Sequence, residues 1–141
     1  MRIVAAIAGG LLGLVFVMSG VVVLFRLVPM PPPPEGTPAA LLMGAFVPTG
    51  YLTFVKVLEV VGGVLVAVPR WRNLGLLVLG PILVNILAFH LFIMGGEGLF
   101  SPMLILLVAL ALFLLWDGRH AFAGLVVRRP TPPATELNPM S

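Results

Sequence analysis

The chain contains no cysteine, and only 9% of its 141 residues are charged. Without cysteine there is no disulfide framework, no thiol–disulfide active site, no iron–sulfur ligation and no zinc–thiolate site. The two histidines, His90 and His120, stand far apart in sequence, so no protein-held haem or metal site is expected. Soluble domains carry roughly 25% charged residues. Nor is there a basic run longer than Arg128-Arg129, which removes nucleic acid as a partner. What the chain has instead is apolar surface: 60% of residues are hydrophobic and the mean hydropathy is +1.19. A small soluble domain buries only about two-thirds of its chain's area and cannot hide that much. The composition is that of a polytopic membrane protein.

Four apolar segments are expected to span. The first, Ile3 to Leu27, has no charge before Arg26. It exceeds the ~7–15-residue apolar region of a signal peptide and is followed by no close cleavage site, so it reads as a retained span. Along it Ala5, Gly9 and Gly13 recur every four residues, a small-residue stripe for helix contact. The second segment is Tyr51 to Val68, the third Leu74 to Met94 with Pro81 inside it, and the fourth about Leu99 to Trp116, with Pro102 near its start. Between the first two lies a proline-rich extended loop, Pro29 to Pro38. Ala39 to Val47 follows, too short to span and read as an interfacial helix. The expected fold is therefore all-α: a four-helix transmembrane bundle with a short interfacial helix between spans one and two. One membrane domain covers 1–127, and a Pro- and Thr-rich cytoplasmic tail, 128–141, is expected to be disordered. With both ends inside, Arg2, Arg70, Arg72, Arg119, Arg128 and Arg129 lie on the cytoplasmic side, as the positive-inside bias favours. Trp71 and Trp116 then sit at the inner interface and Tyr51 at the outer one.

Polar groups within spans are costly and hence functional candidates. At 1.5 Å per residue, Lys56 lies ~8 Å and Glu59 ~12 Å below the outer edge, Asn85 ~14 Å, His90 ~6 Å and Ser19 ~12 Å. All five share the outer half. Lys56 and Glu59 are three apart on one helix face and can pair. Gly62 and Gly63 strip that face of side chains beneath the acid, so that a helix or a ligand can approach. Gly80-Pro81 is expected to break the third span's ladder one turn before Asn85. Asn85 and His90 lie about 140° apart on an ideal helix, so they face one partner only if that helix is distorted. Each residue also has a structural reading: a registry-fixing ion pair, a packing histidine and an interhelical asparagine.

Lys56-Val57-Leu58-Glu59-Val60-Val61-Gly62-Gly63 and Pro81-Ile82-Leu83-Val84-Asn85-Ile86-Leu87-Ala88-Phe89-His90 resemble the DoxX-like family of small four-span bacterial membrane proteins. The element Phe16-Val17-Met18-Ser19-Gly20 is similar to that family's first-span motif. Val21, Val22 and Val23 follow where the family often carries a polar residue. The resemblance runs from about Gly10 to Leu115 and leaves out the tail. It implies a bacterial inner (cell) membrane location and an analogy to small subunits of quinone-linked oxidoreductases; most members have no assigned reaction.

The first expectation is a non-enzymatic subunit or small-molecule-binding bundle, with Ser19, Lys56, Glu59, Asn85 and His90 lining an outer-half polar site. The alternative is a membrane subunit of a quinone-linked oxidoreductase, quinone being the only cofactor suggested and a partner protein carrying the electrons. A transporter is disfavoured, because the inner half has no charged group and no inverted repeat is visible. The lipid bilayer is the certain partner; an oligomer is an open alternative.

Overall fold

The computed structural model describes residues 2–127; the expected tail from Arg128 onward lies outside them. Among the described residues the chain is all-helical. It comprises α1 (Arg2–Leu24), α2 (Pro38–Phe46), α3 (Tyr51–Ala67), α4 (Arg72–Ala88), a π-helical turn (Phe89–Ile93) continuing α4, α5 (Pro102–Asp117) and α6 (Arg119–Val126). Two runs, Arg2–Leu24 and Arg72–Ile93, are each long and apolar enough to cross a membrane. The number rises to four if each bent pair is one span: α2 with α3, at 83°, and α5 with α6, at 70°. Helices of this length and hydropathy are those of a membrane protein.

Local chemistry sets the helix ends. α1 stops at Leu24 rather than Leu27, because Arg26 adopts φ 52°. Arg26 N–H donates to Val23 O and Leu27 N–H to Val22 O, the paired bonds of a Schellman ending, in which glycine usually takes the left-handed position. Thr37 caps α2, its hydroxyl oxygen accepting from Ala40 N–H, and Pro38 sits where a missing N–H is free of cost. Gly50, at φ 78°, turns the chain from α2 into α3. α5 begins at Pro102 rather than Leu99, since Ser101 accepts from Leu104 N–H and Gly95, Gly96 and Gly98 hold the preceding turn at positive φ. The helix continues through Pro81, which has no N–H to donate to Leu77 O, so the ladder lacks one bond there while the helix holds its course; the pitch changes later, at Phe89.

The core runs through the middle of the helices. Leu12 and Phe16 of α1, Val66 of α3, Leu79 and Leu83 of α4 and Leu114 of α5 are all buried. Their opposite faces are apolar too: Ile7, Val61, Val84 and Leu112 are exposed. Apolar residues on both faces suit a surrounding of hydrocarbon rather than water.

Glycines let α3 lie against two neighbours at once. A Cβ at Gly13 would collide with Gly63 O of α3, and one at Gly63 would fall 2.8 Å from Gly13 O. On the other flank, a Cβ at Gly62 would come within 2.7 Å of Leu79 Cδ2 of α4, and one at Gly75 of α4 would strike Val66 N. Gly62 and Gly63 thus serve the two neighbouring helices rather than opening a face to a ligand. Gly10, between Gly9 and Gly13 in sequence, faces open space. Gly13→Ala should therefore lower stability by about 1–3 kcal/mol through overpacking. Gly10→Ala should leave it unchanged or raise it by up to ~1 kcal/mol through helix propensity. Thermal melts of both variants in one detergent measure the difference; equal effects would contradict the close α1–α3 contact.

Candidate functional site

Close approach of α1 to α3 has a second consequence two turns farther along α1. A Cβ at Gly20 would meet Val60 Cγ2 and lie 2.9 Å from Lys56 O, so the bare Gly20 lets the preceding residue, Ser19, reach across to α3. Ser19 Oγ donates to Glu59 Oε2 at 3.2 Å. Lys56 Nζ donates to Glu59 Oε1 and Oε2, both at 3.0 Å, and to Ser19 Oγ at 3.3 Å. The Lys56 ammonium has three protons and three acceptors. The Glu59 side chain is 3% exposed and that of Lys56 16%. This is a closed, internally neutral cluster, well compensated for its depth.

Asn85 and His90 belong to a different wall. The π turn widens the backbone repeat from i→i−4 to i→i−5, as Met94 N–H shows by donating to Phe89 O. His90 Nδ1 lies 2.8 Å from Ile86 O. A carbonyl can only accept, so the proton is on Nδ1 and Nε2 is left free. Phe89 packs edge-on against the imidazole, with centroids 5.7 Å apart. Gly98 closes the other side: a Cβ there would sit 3.0 Å from His90 Cδ2, so both its positive φ and its bareness are required. Asn85 is exposed, and among the described residues its carboxamide makes no hydrogen bond.

A cavity of about 450 Å³ joins the two groups. Lys56 and Glu59 of α3 face it on one side, and Asn85 of α4 and His90 of the π turn on the other; Met43 and Phe46 of α2 cover it. The rest of its lining is apolar. A second, larger cavity of about 780 Å³ lies between α1, α3 and α5, and Lys56, Glu59, Met43, Leu52 and Ile86 line both. Four of the five polar residues singled out in the sequence thus line the smaller cavity, while Ser19 stands behind the ion pair and lines the larger one. Among the described residues no group of three or more potential metal ligands occurs.

Three features were not legible beforehand. Met43 and Phe46 carry no polar signal. Gly98 looked like one turn glycine among several. Arg72, expected on the cytoplasmic side, packs against α1: a Cβ at Gly9 would be 3.0 Å from its Nε. Its Nε and Nη2 are buried without a hydrogen-bond partner, beside the carbonyl end of α3, where a cation is favoured.

The cluster predicts a thermodynamic asymmetry. Glu59→Leu strands the Lys56 ammonium and should cost about 3 kcal/mol, the low end for a broken buried pair because Lys56 keeps some exposure. Adding Lys56→Met should restore most of that loss. Thermal unfolding in detergent reads both, and a double variant no more stable than Glu59→Leu would contradict it. Comparison of the chain with protein-family models, with curated proteins and with solved structures found no match in any of the three.

Proposed function

We propose that this chain is a four-span bundle of the bacterial inner membrane that binds a lipophilic small molecule in the α2–α3–α4 cavity and catalyses nothing on its own. The observation that carries this reading is the cavity itself. Its volume falls within the ~300–1,000 Å³ of small-molecule sites, and it pairs an apolar lining with a few convergent polar groups. In this arrangement α3 and α5 cross the bilayer as single helices. At 17 and 16 residues they reach ~25 Å, a shortfall that local thinning or the flanking α2 and α6 absorb. α2 lies at the outer interface. α6, with Arg119 stacked over Trp116 at 4.1 Å, lies at the inner one. Both termini are cytoplasmic. The motifs around Lys56, Glu59, Asn85 and His90 support a place in the DoxX-like family.

A second reading, a membrane subunit of a quinone-linked oxidoreductase, draws on one feature. Asn85 offers an unbonded amide N–H to a ring carbonyl entering the cavity, beside His90 on the same wall. A chain without cysteine would then leave electron transfer to a partner protein.

Topology is tested by cysteine labelling, since any introduced cysteine is unique in this sequence. Glu35→Cys should react with an impermeant maleimide on intact cells, and His120→Cys only after permeabilisation; the reverse pattern overturns the orientation. For the ligand, mass spectrometry of extracts from purified protein should find a lipophilic compound near stoichiometric amount. Ala88→Phe, which fills the cavity, should deplete it at least fivefold. Equal content in both proteins would place the compound elsewhere.

A further inference from the structure

The hydrogen-bonding inventory of the cavity narrows the chemistry of what it can hold, on the reading that the cavity is a binding site. Lys56 and Glu59 are the only full charges in its wall, and they are spent on each other. The three contacts of Lys56 go to Glu59 and Ser19, and Glu59 accepts from Lys56 twice and from Ser19 once. A charged headgroup entering here would leave water for a low-dielectric wall with no free counter-charge, the costliest kind of burial.

Outside the cluster two groups have unused capacity; within it Glu59 keeps about one acceptor site, on a side chain only 3% exposed. His90 has its Nδ1 proton committed to Ile86 O, so Nε2 is an acceptor in the neutral ring. That atom borders the Gly98 turn, where a Cβ would lie 3.4 Å from it, at the edge of the cavity that His90 lines; among the described residues it is not one of the fully buried, partnerless nitrogens, which are both on Arg72. Asn85 presents two N–H donors and one carbonyl acceptor. The free capacity outside the cluster therefore consists of acceptors and donors without net charge. A hydroxyl group answers it, donating to His90 Nε2 and accepting from the Asn85 amide. The larger cavity, which shares its wall at Met43, Leu52 and Ile86, is lined almost throughout by aliphatic side chains and methionines such as Leu14, Val15, Met103 and Leu107. It gives a hydrocarbon tail somewhere to lie.

We infer that the ligand is an uncharged amphiphile: a hydroxyl head held between Asn85 and His90, with an apolar chain running past Met43 and Ile86 into the α1–α3–α5 cavity. Selectivity against ionic lipids then comes from the closed Ser19–Lys56–Glu59 cluster, which offers no charge to pair with.

Four photoreactive probes with the same diazirine-bearing hexadecyl chain test this in phosphatidylcholine nanodiscs holding the full chain. Their heads are alcohol, methyl ether, sulfate and trimethylammonium. Cross-linked peptides are quantified by mass spectrometry. The alcohol should label cavity-lining residues at least fivefold more than either ion and about threefold more than the ether, which accepts but cannot donate. His90→Phe should erase the alcohol's advantage over the ether, and Asn85→Leu should lower labelling by both at least threefold while the alcohol stays ahead of the ether. Because Asn85 is exposed on the wall, its variant stays informative if His90→Phe does not fold. Equal labelling by all four heads, or preference for an ion, overturns the headgroup assignment while leaving the cavity as a binding site. Absence of cavity labelling by every probe overturns both.

Discussion

A carboxylate 3% exposed on its side chain, in a chain otherwise built of hydrocarbon, is the constraint from which most of the structure follows. Glu59 can stay there only if its charge is met by a cation and its remaining lone pairs by donors. Lys56, one turn away on the same helix, supplies the cation. The missing donor has to come from another helix, and α1 provides it through Ser19. For a serine, one of the shortest polar side chains, to reach across, the two backbones must nearly touch. The glycines at 13, 20 and 63 are therefore as much part of the acid's environment as the lysine is. A side chain at any of them would hold α1 away and leave the carboxylate one bond short. Packing and electrostatics here are one requirement expressed at two places along α1.

The same closeness distributes space unevenly. α1 and α3, and on the other flank α3 and α4, meet without room between them around Gly13, Gly63, Gly62 and Gly75. Toward the Tyr51 end α1 and α3 stay close at Gly20 and Lys56, while α4 gives way to the π turn and cavities open beside the pair. The ion pair stands in the wall between the two cavities. The cluster is thus better placed to partition and set the polarity of the space than to react in it. A lysine whose protons are all engaged is a poor base, and a serine whose hydroxyl already donates to a carboxylate faces a competing partner at every step.

How far the sequence foretold this can be judged residue by residue. The helices and the proline-rich break were legible because hydropathy and proline act locally: apolar runs must bury their backbone bonds within themselves, and Pro29 to Pro34 cannot be helical. The Lys56–Glu59 pairing was legible from a spacing of three. The role of Ser19 was not, since nothing in α1 alone says which neighbour it meets. Gly62 and Gly63 were visible as a bare face, but their assignment to two different helices required the packing. Pro81 announced a missing ladder bond but not that the helix would run on through it, and the change of pitch falls at Phe89, where no residue type announces it. For Arg72, charge counting suggested a side of the membrane but not a contact: the space left by Gly9 lets its guanidinium lie against the end of α3.

His90 is held by the backbone of its own helix. Its ring Nδ1–H donates to Ile86 O one turn back, next to the stretch where Met94 N–H reaches back to Phe89 O, and among the described residues Nε2 has no hydrogen-bond partner. Gly98 completes the arrangement from the far side, because any Cβ there would press on the ring edge. A turn of three positive-φ glycines on one side and the Ile86 carbonyl on the other thus hold the imidazole at the wall of the cavity.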